Sequence, residues 1–159
     1  MRTLALLAFF SALVFAGFAP SRAQAFQCNV TVTSLPFGTY NIFDPTPLDS
    51  TANLNVGCNI PPRHPQAPMP VVITLSAGNS GSFTQRWLQS AGPDNLHYNL
   101  YNSSAFSTIW GDGGGSSSIV TALVTSATPF NATIYGRIPP QQNVRAGSYR
   151  DTITVNISY

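Results

Sequence analysis

Residues that could carry out chemistry are few in this sequence and widely separated. Its two histidines are His64, in a proline-rich stretch, and His97, beside a tyrosine. No pair of side chains has metal-ligand spacing, and no catalytic serine elbow or phosphate-binding glycine loop is present. A pair of catalytic carboxylates would need two aspartates to converge, which their spacing does not favour. The aspartates are Asp44, Asp49, Asp94, Asp112 and Asp151.

Asp112 lies in a glycine- and serine-rich run, where it could in principle bind calcium. It has no second acidic residue nearby, so a turn is the favoured interpretation. The sequence therefore predicts a protein that is not an enzyme, with no cofactor, no metal and no small-molecule substrate.

The two cysteines, Cys28 and Cys58, have a different kind of chemistry open to them. An even count in an exported chain favours one disulfide, which would close a loop of about 30 residues and contribute roughly 3.5 kcal/mol. The alternative is a lipid-modified Cys28, but the residues before it are not the small ones that such a site prefers.

Export is predicted from the start of the chain. A basic residue is followed by an apolar run over residues 4–19 and by Ala23-Gln24-Ala25, the parts of a signal peptide. The alternative, a membrane anchor, would need a longer run of about 20 residues. We predict a signal peptide over residues 1–25, with cleavage after Ala25, and one domain over residues 26–159.

The charge of that domain is low and balanced. Without Arg2 and Arg22, five of the seven basic residues remain, against five acidic ones. Nucleic-acid binding requires a basic surface for the phosphates, so the composition excludes that class of partner.

Short alternating segments separated by proline and glycine indicate an all-β sandwich or barrel of about seven strands. The predicted strands cover residues 28–33, 53–58, 71–75, 83–88, 96–101, 119–125, 132–138 and 152–159, with a short piece at 108–110. Residues 61–70 contain five prolines, which exclude a central strand or a helix there. We interpret that segment as an exposed connector, with a polyproline recognition motif as the alternative.

The last predicted strand is the most regular. Ile153, Val155, Ile157 and Tyr159 share one face, and polar residues occupy the other. The strand contains no proline and no charge, although natural proteins usually protect an exposed edge with such residues. It therefore either pairs with another molecule or lies in mid-sheet, with earlier strands on both sides.

A family resemblance favours the first of these alternatives. The order and spacing of several short motifs across the domain resemble the spore coat protein U domain, which includes subunits of archaic chaperone–usher pili. These motifs are Phe37-Gly38-x-Tyr40, Val56-x-Cys58, Arg86, Leu96-x-Tyr98-x-Leu100-Tyr101, Trp110-Gly111-Asp112-Gly113, Tyr135-Gly136-Arg137-Ile138-Pro139, Gln142 and Gly147-x-Tyr149-x-Asp151-Thr152.

The resemblance implies an immunoglobulin-like β-sandwich that lacks its last strand. It also implies three partners: a periplasmic chaperone that lends the missing strand, an outer-membrane usher where the exchange takes place, and a neighbouring subunit whose N-terminal extension replaces the strand of the chaperone. By position, Ile153, Val155, Ile157 and Tyr159 would form the acceptor edge, and Cys28 and Cys58 the family disulfide. The expected location is the periplasm, then the cell surface.

Cleavage after Ala25 would leave only two residues before Cys28. Such a chain could accept a strand but not donate one, which predicts a terminal subunit. Two alternatives remain: a self-contained secreted coat or surface protein, and a glycan- or surface-binding tip that uses aromatic residues near Trp110 or the proline-rich segment.

Overall fold

A computed structural model describes residues 26–61 and 68–159. The predicted signal peptide and most of the proline-rich segment, including His64, lie outside the described residues. The strands are β1 (Gln27–Val32), β2 (Leu48–Asn59), β3 (Met69–Leu75), β4 (Arg86–Gln89), β5 (Asn95–Tyr101), β6 (Val120–Val124), β7 (Phe130–Ile138) and β8 (Val155–Ser158), with a 3-10 turn at Gly78–Ser80. No helix in these two ranges is long and apolar enough to cross a membrane.

The strands form two antiparallel sheets. One has five strands in the order β1-β2-β7-β5-β4, and the other has three in the order β6-β3-β8. The predicted all-β, immunoglobulin-like sandwich is confirmed, with eight assigned strands where about seven were expected.

Alternation along the strands builds the core. In β2, Leu54, Val56 and Cys58 are buried, because every second side chain points to the opposite sheet. Cys58 lies directly opposite Cys28 in the register of β1 and β2, and the two sulfur atoms are bonded at 2.03 Å. The disulfide agrees with the sequence prediction and joins the first two strands near the start of the domain.

Trp110 corrects one expectation. Its side chain is wholly buried, and its Nε1 donates a hydrogen bond of 3.1 Å to the carbonyl of Ile73. Trp110 itself is therefore not an exposed aromatic residue of a binding tip, and the alternative that uses aromatic residues near it or the proline-rich segment stays a prediction. The sequence alone could not show this, because the predicted short strand at 108–110 is only a pair of isolated bridges within a longer loop that folds inward.

Pro70 corrects the expectation that residues 61–70 take no part in a central strand. It lies inside β3, the middle strand of the smaller sheet. Its neighbour on one side is Leu123 of β6. On the other side, the pairing of β3 with β8 begins only at Val72. The missing N–H of Pro70 therefore removes no bond to β8, as for a proline near a strand end.

Candidate functional site

The last strand, β8, lies at an edge of the smaller sheet. Its four residues pair with β3, from Val155 opposite Leu75 to Ser158 opposite Val72. Among residues 26–61 and 68–159, no second strand pairs with its other side. An edge of this kind presents unpaired backbone donors and acceptors to whatever lies beside it.

The hydrogen bonds next to β8 identify which backbone groups face outward. Thr154 O accepts a bond of 2.9 Å from Ser76 N, so Thr154 is directed towards β3. Leu75 N donates to Gly111 O at 3.3 Å, away from β8. Because alternate residues of an antiparallel strand face the same neighbour, the N–H and C=O groups of Val155 and Ile157 point to the open side.

The side chains of this segment alternate as the sequence predicts. Ile153, Val155 and Ile157 are half-buried and pack against the core, whereas the intervening polar residues are exposed. Tyr159, the fourth predicted site residue, is 57% exposed. The assigned strand starts at Val155, three residues later than predicted.

A cavity of about 310 Å³ opens beside β8, between the two sheets. Ile153 and Val155 form one wall, Ala52, Leu100 and Ile134 of the larger sheet lie opposite, and the segment from Val32 to Leu35 lies at the side. Of the four predicted site residues, the structure thus brings Ile153 and Val155 to this cavity but not Ile157 or Tyr159. The cavity is a place where apolar side chains of another segment would fit.

A larger cleft of about 830 Å³ continues from this cavity. It runs between residues 35–42 and residues 144–152, and both spaces are lined by Leu35, Phe37, Leu88 and Asp151. Together they form a groove, which we call the open groove. It follows the chain from β8 back towards residue 144.

Asp151 fixes the point where the chain enters β8. Its Oδ1 accepts hydrogen bonds from Asn79 N at 2.9 Å and Thr152 N at 2.7 Å, and its Oδ2 accepts one from the Tyr98 hydroxyl at 2.7 Å. Burial and this hydrogen bond raise the pKa of Tyr98 well above its ordinary value, so the hydroxyl keeps its proton. A carboxylate that accepts three hydrogen bonds therefore holds in place the wall of the open groove that Ile153 and Val155 form.

Arg86 supports the same region from inside. Its side chain is wholly buried, and its guanidinium donates to the carbonyls of Ser76 and Trp110 and to the side-chain oxygen of Asn99. Sequence reasoning found Arg86 and Asp151 only as parts of family motifs. The available signal was their rarity: an arginine within a predicted strand and an aspartate directly before the last one.

The described residues contain no group of three histidine, cysteine or acidic side chains that could hold a metal. Asp112 instead accepts a hydrogen bond of 2.8 Å from Gly114 N within its own turn. His97 packs edge-on against Trp87, and its Nδ1 is buried without a partner. The absence of enzymatic activity stays a prediction.

Comparisons with known proteins identify a domain family, and a relative and a solved structure that are similar to this chain. Residues 15–156 match the sequence model of the Spore Coat Protein U domain. Protein U of Myxococcus xanthus is 29% identical over 141 residues, which cover 79% of this chain and 72% of that protein.

Among solved structures, the fold is similar to a chain in the CsuC-CsuE chaperone–tip adhesion subunit pre-assembly complex, from the archaic chaperone-usher Csu pili of Acinetobacter baumannii. The TM-score is 0.58 at 21% identity, and the match covers 85% of this chain. This chain spans only 40% of the length of that chain.

Proposed function

Because this chain belongs to the Spore Coat Protein U domain family, we propose that it is an exported subunit of a surface fibre of the archaic chaperone–usher type, which accepts a strand beside β8. The observation that carries the proposal is the side of β8, next to the open groove, with which no strand of the described residues pairs. The family match and the similarity in fold to the Csu complex support it.

The mechanism is strand addition. An extended segment of a partner would exchange backbone hydrogen bonds with the outward-facing groups of Val155 and Ile157. Every second side chain of that segment would then point between the sheets, into the cavity beside Ile153 and Val155. Burial of one aliphatic side chain there would contribute about 1.5–3 kcal/mol.

The proposal includes the three partners that the family resemblance implies. A chaperone in the periplasm would supply the strand first, an outer-membrane usher would be the site of exchange, and a neighbouring subunit would supply the final strand. The terminal position in the fibre belongs to the same proposal. It depends on cleavage after Ala25, which N-terminal sequencing of the exported protein would test.

A pair of charge substitutions tests the acceptor edge. Val155→Asp places a carboxylate on the face that lines the cavity, where an added strand must pack, and burial of an unpaired charge is strongly unfavourable. Asn156→Asp adds the same charge one residue later, on the exposed face. We expect the first variant to lose capture by a co-expressed periplasmic chaperone and by a fused donor peptide, while the second keeps both.

Export of both variants is the control, measured as the amount of processed protein in the periplasm. Equal capture of Val155→Asp and the unaltered protein would contradict the proposed edge. A lone chain that is monomeric, cooperatively folded and unaffected by either strand source would instead favour a self-contained coat or surface protein.

A further inference from the structure

Phe26 and Tyr159 meet across the open side of the sandwich. Phe26 directly precedes β1, the edge strand of the larger sheet, and Tyr159 directly follows β8, the edge strand of the smaller one. Their ring centroids are 4.7 Å apart at an interplanar angle of 61°, an edge-to-face contact. The two rings therefore join the two sheets at the end of β8.

The open groove stops short of this contact. Ile153 and Val155 line its cavity, but Ile157, Tyr159 and Phe26 do not. Phe26 is half-buried and packs against the core, so its ring takes up space on this side of the sandwich. The groove is thus open at the start of β8 and filled at its end.

A strand added beside β8 would experience this difference along its length. Its inward side chains near Ile153 and Val155 would enter the cavity. The inward side chain near Ile157 and Tyr159 would meet the ring of Phe26, and a large group there would overfill a space that is already occupied.

We propose that Phe26 determines which strands this subunit accepts: it admits a small residue, glycine or alanine, at the inward position beside the end of β8, and it excludes a large one. The inference rests on the proposed strand-acceptor function and goes beyond it by specifying the chemistry of the donor. The donor segment carries aliphatic residues at the inward positions along the open groove and a small residue at the inward position next to Phe26.

Binding of matched peptides to the exported protein tests this specificity. The peptides have about ten residues, the upper end of strand lengths, and alternate valine with threonine. In each peptide one inward valine is replaced by alanine or by phenylalanine, with the replacement moved along the peptide from one inward position to the next. Affinity is measured by fluorescence anisotropy.

When the replaced residue is at one terminal inward position of the peptide, we expect the unaltered protein to bind the alanine peptide at least tenfold more tightly than the phenylalanine peptide. The Phe26→Ala variant vacates the space, so this preference should disappear or reverse. Phe43→Ala is the matched control: Phe43 is 82% exposed and lines neither part of the open groove, and its loss should leave the preference unchanged.

The possible outcomes separate the two proposals. If peptides bind but Phe26→Ala keeps the preference of the unaltered protein, the role of Phe26 is refuted and the acceptor edge stands. If no peptide binds to either protein, the acceptor function itself fails, and the inference with it. Phe26→Leu keeps an apolar side chain and should give an intermediate preference. This variant tests the role of Phe26 even if the alanine variant does not fold.

Discussion

Replacement of Arg86 by methionine should destabilise the fold strongly, although none of the described carboxylates forms an ion pair with the guanidinium. The side chain is wholly buried, and burial lowers the pKa of Arg86 from its ordinary value. Its nitrogens donate to Ser76 O at 2.8 and 3.1 Å and to Trp110 O at 2.9 Å. A third acceptor, Asn99 Oδ1, lies 2.7 Å away.

The size of the effect follows from the acceptors that would be left behind. Asn99 Oδ1 also accepts from Leu100 N, so it stays hydrogen-bonded without Arg86. The carbonyls of Ser76 and Trp110 would lose their donors, at about 1–3 kcal/mol each. Removal of a buried cation recovers part of this cost, because its desolvation is no longer required. We expect a net loss of about 3 kcal/mol in the free energy of unfolding.

Urea unfolding followed by tryptophan fluorescence measures this change, since Trp110 is buried and becomes exposed on unfolding. Arg150→Met is the matched control. Arg150 is exposed, and its side chain makes no hydrogen bond or ion pair with the described residues, so the change should stay within about 0.5 kcal/mol. Equal shifts of the urea midpoint in the two variants would refute the structural role assigned to Arg86.

Three further predictions concern stability. Gly136→Ala should lower the free energy of unfolding by about 1–3 kcal/mol, because a methyl group there would come within 3 Å of two side chains that cover it. Gly57→Ala is the control and should be close to neutral, since nothing lies within 4 Å of the added methyl group. The urea midpoints of the two variants test the difference. Reduction of the Cys28–Cys58 bond should lower the free energy of unfolding by about 3.5 kcal/mol, and a midpoint that dithiothreitol does not move would contradict this. Burial and a hydrogen bond raise the pKa of Tyr98 in the folded protein. The protonated hydroxyl therefore stabilises the fold fully below about pH 10, the pKa of tyrosine in the unfolded chain. As the pH rises above that value, this stabilisation falls by up to about 1.4 kcal/mol per pH unit. Tyr98→Phe should remove this part of the loss of stability at alkaline pH, measured by urea unfolding at increasing pH. A pH dependence equal to that of the unaltered protein would contradict the prediction.

The parts of the fold that follow from local alternation could be predicted from the sequence. Period two along residues 152–159 predicts both a strand and its apolar face, and the disulfide follows because each cysteine lies on the apolar face of its own strand. Burial of Trp110 could not be predicted, because it depends on a loop that closes over the end of β3. The contact of Phe26 with Tyr159 joins the two ends of the described domain, and no local pattern encodes a pairing across that distance.

The two ends of the open groove differ in a way that bears on how a strand would enter. At the start of β8, Asp151 is held by three hydrogen bonds, so that wall is formed before any partner arrives. At the other end, the rings of Phe26 and Tyr159 are in contact, and Phe26 also packs against the core. A preformed wall lowers the entropy lost on binding, whereas the end of β8 beside Phe26 and Tyr159 has no cavity ready for a large side chain. A strand would therefore pair first beside Val155, where the cavity is open, and would reach Tyr159 last.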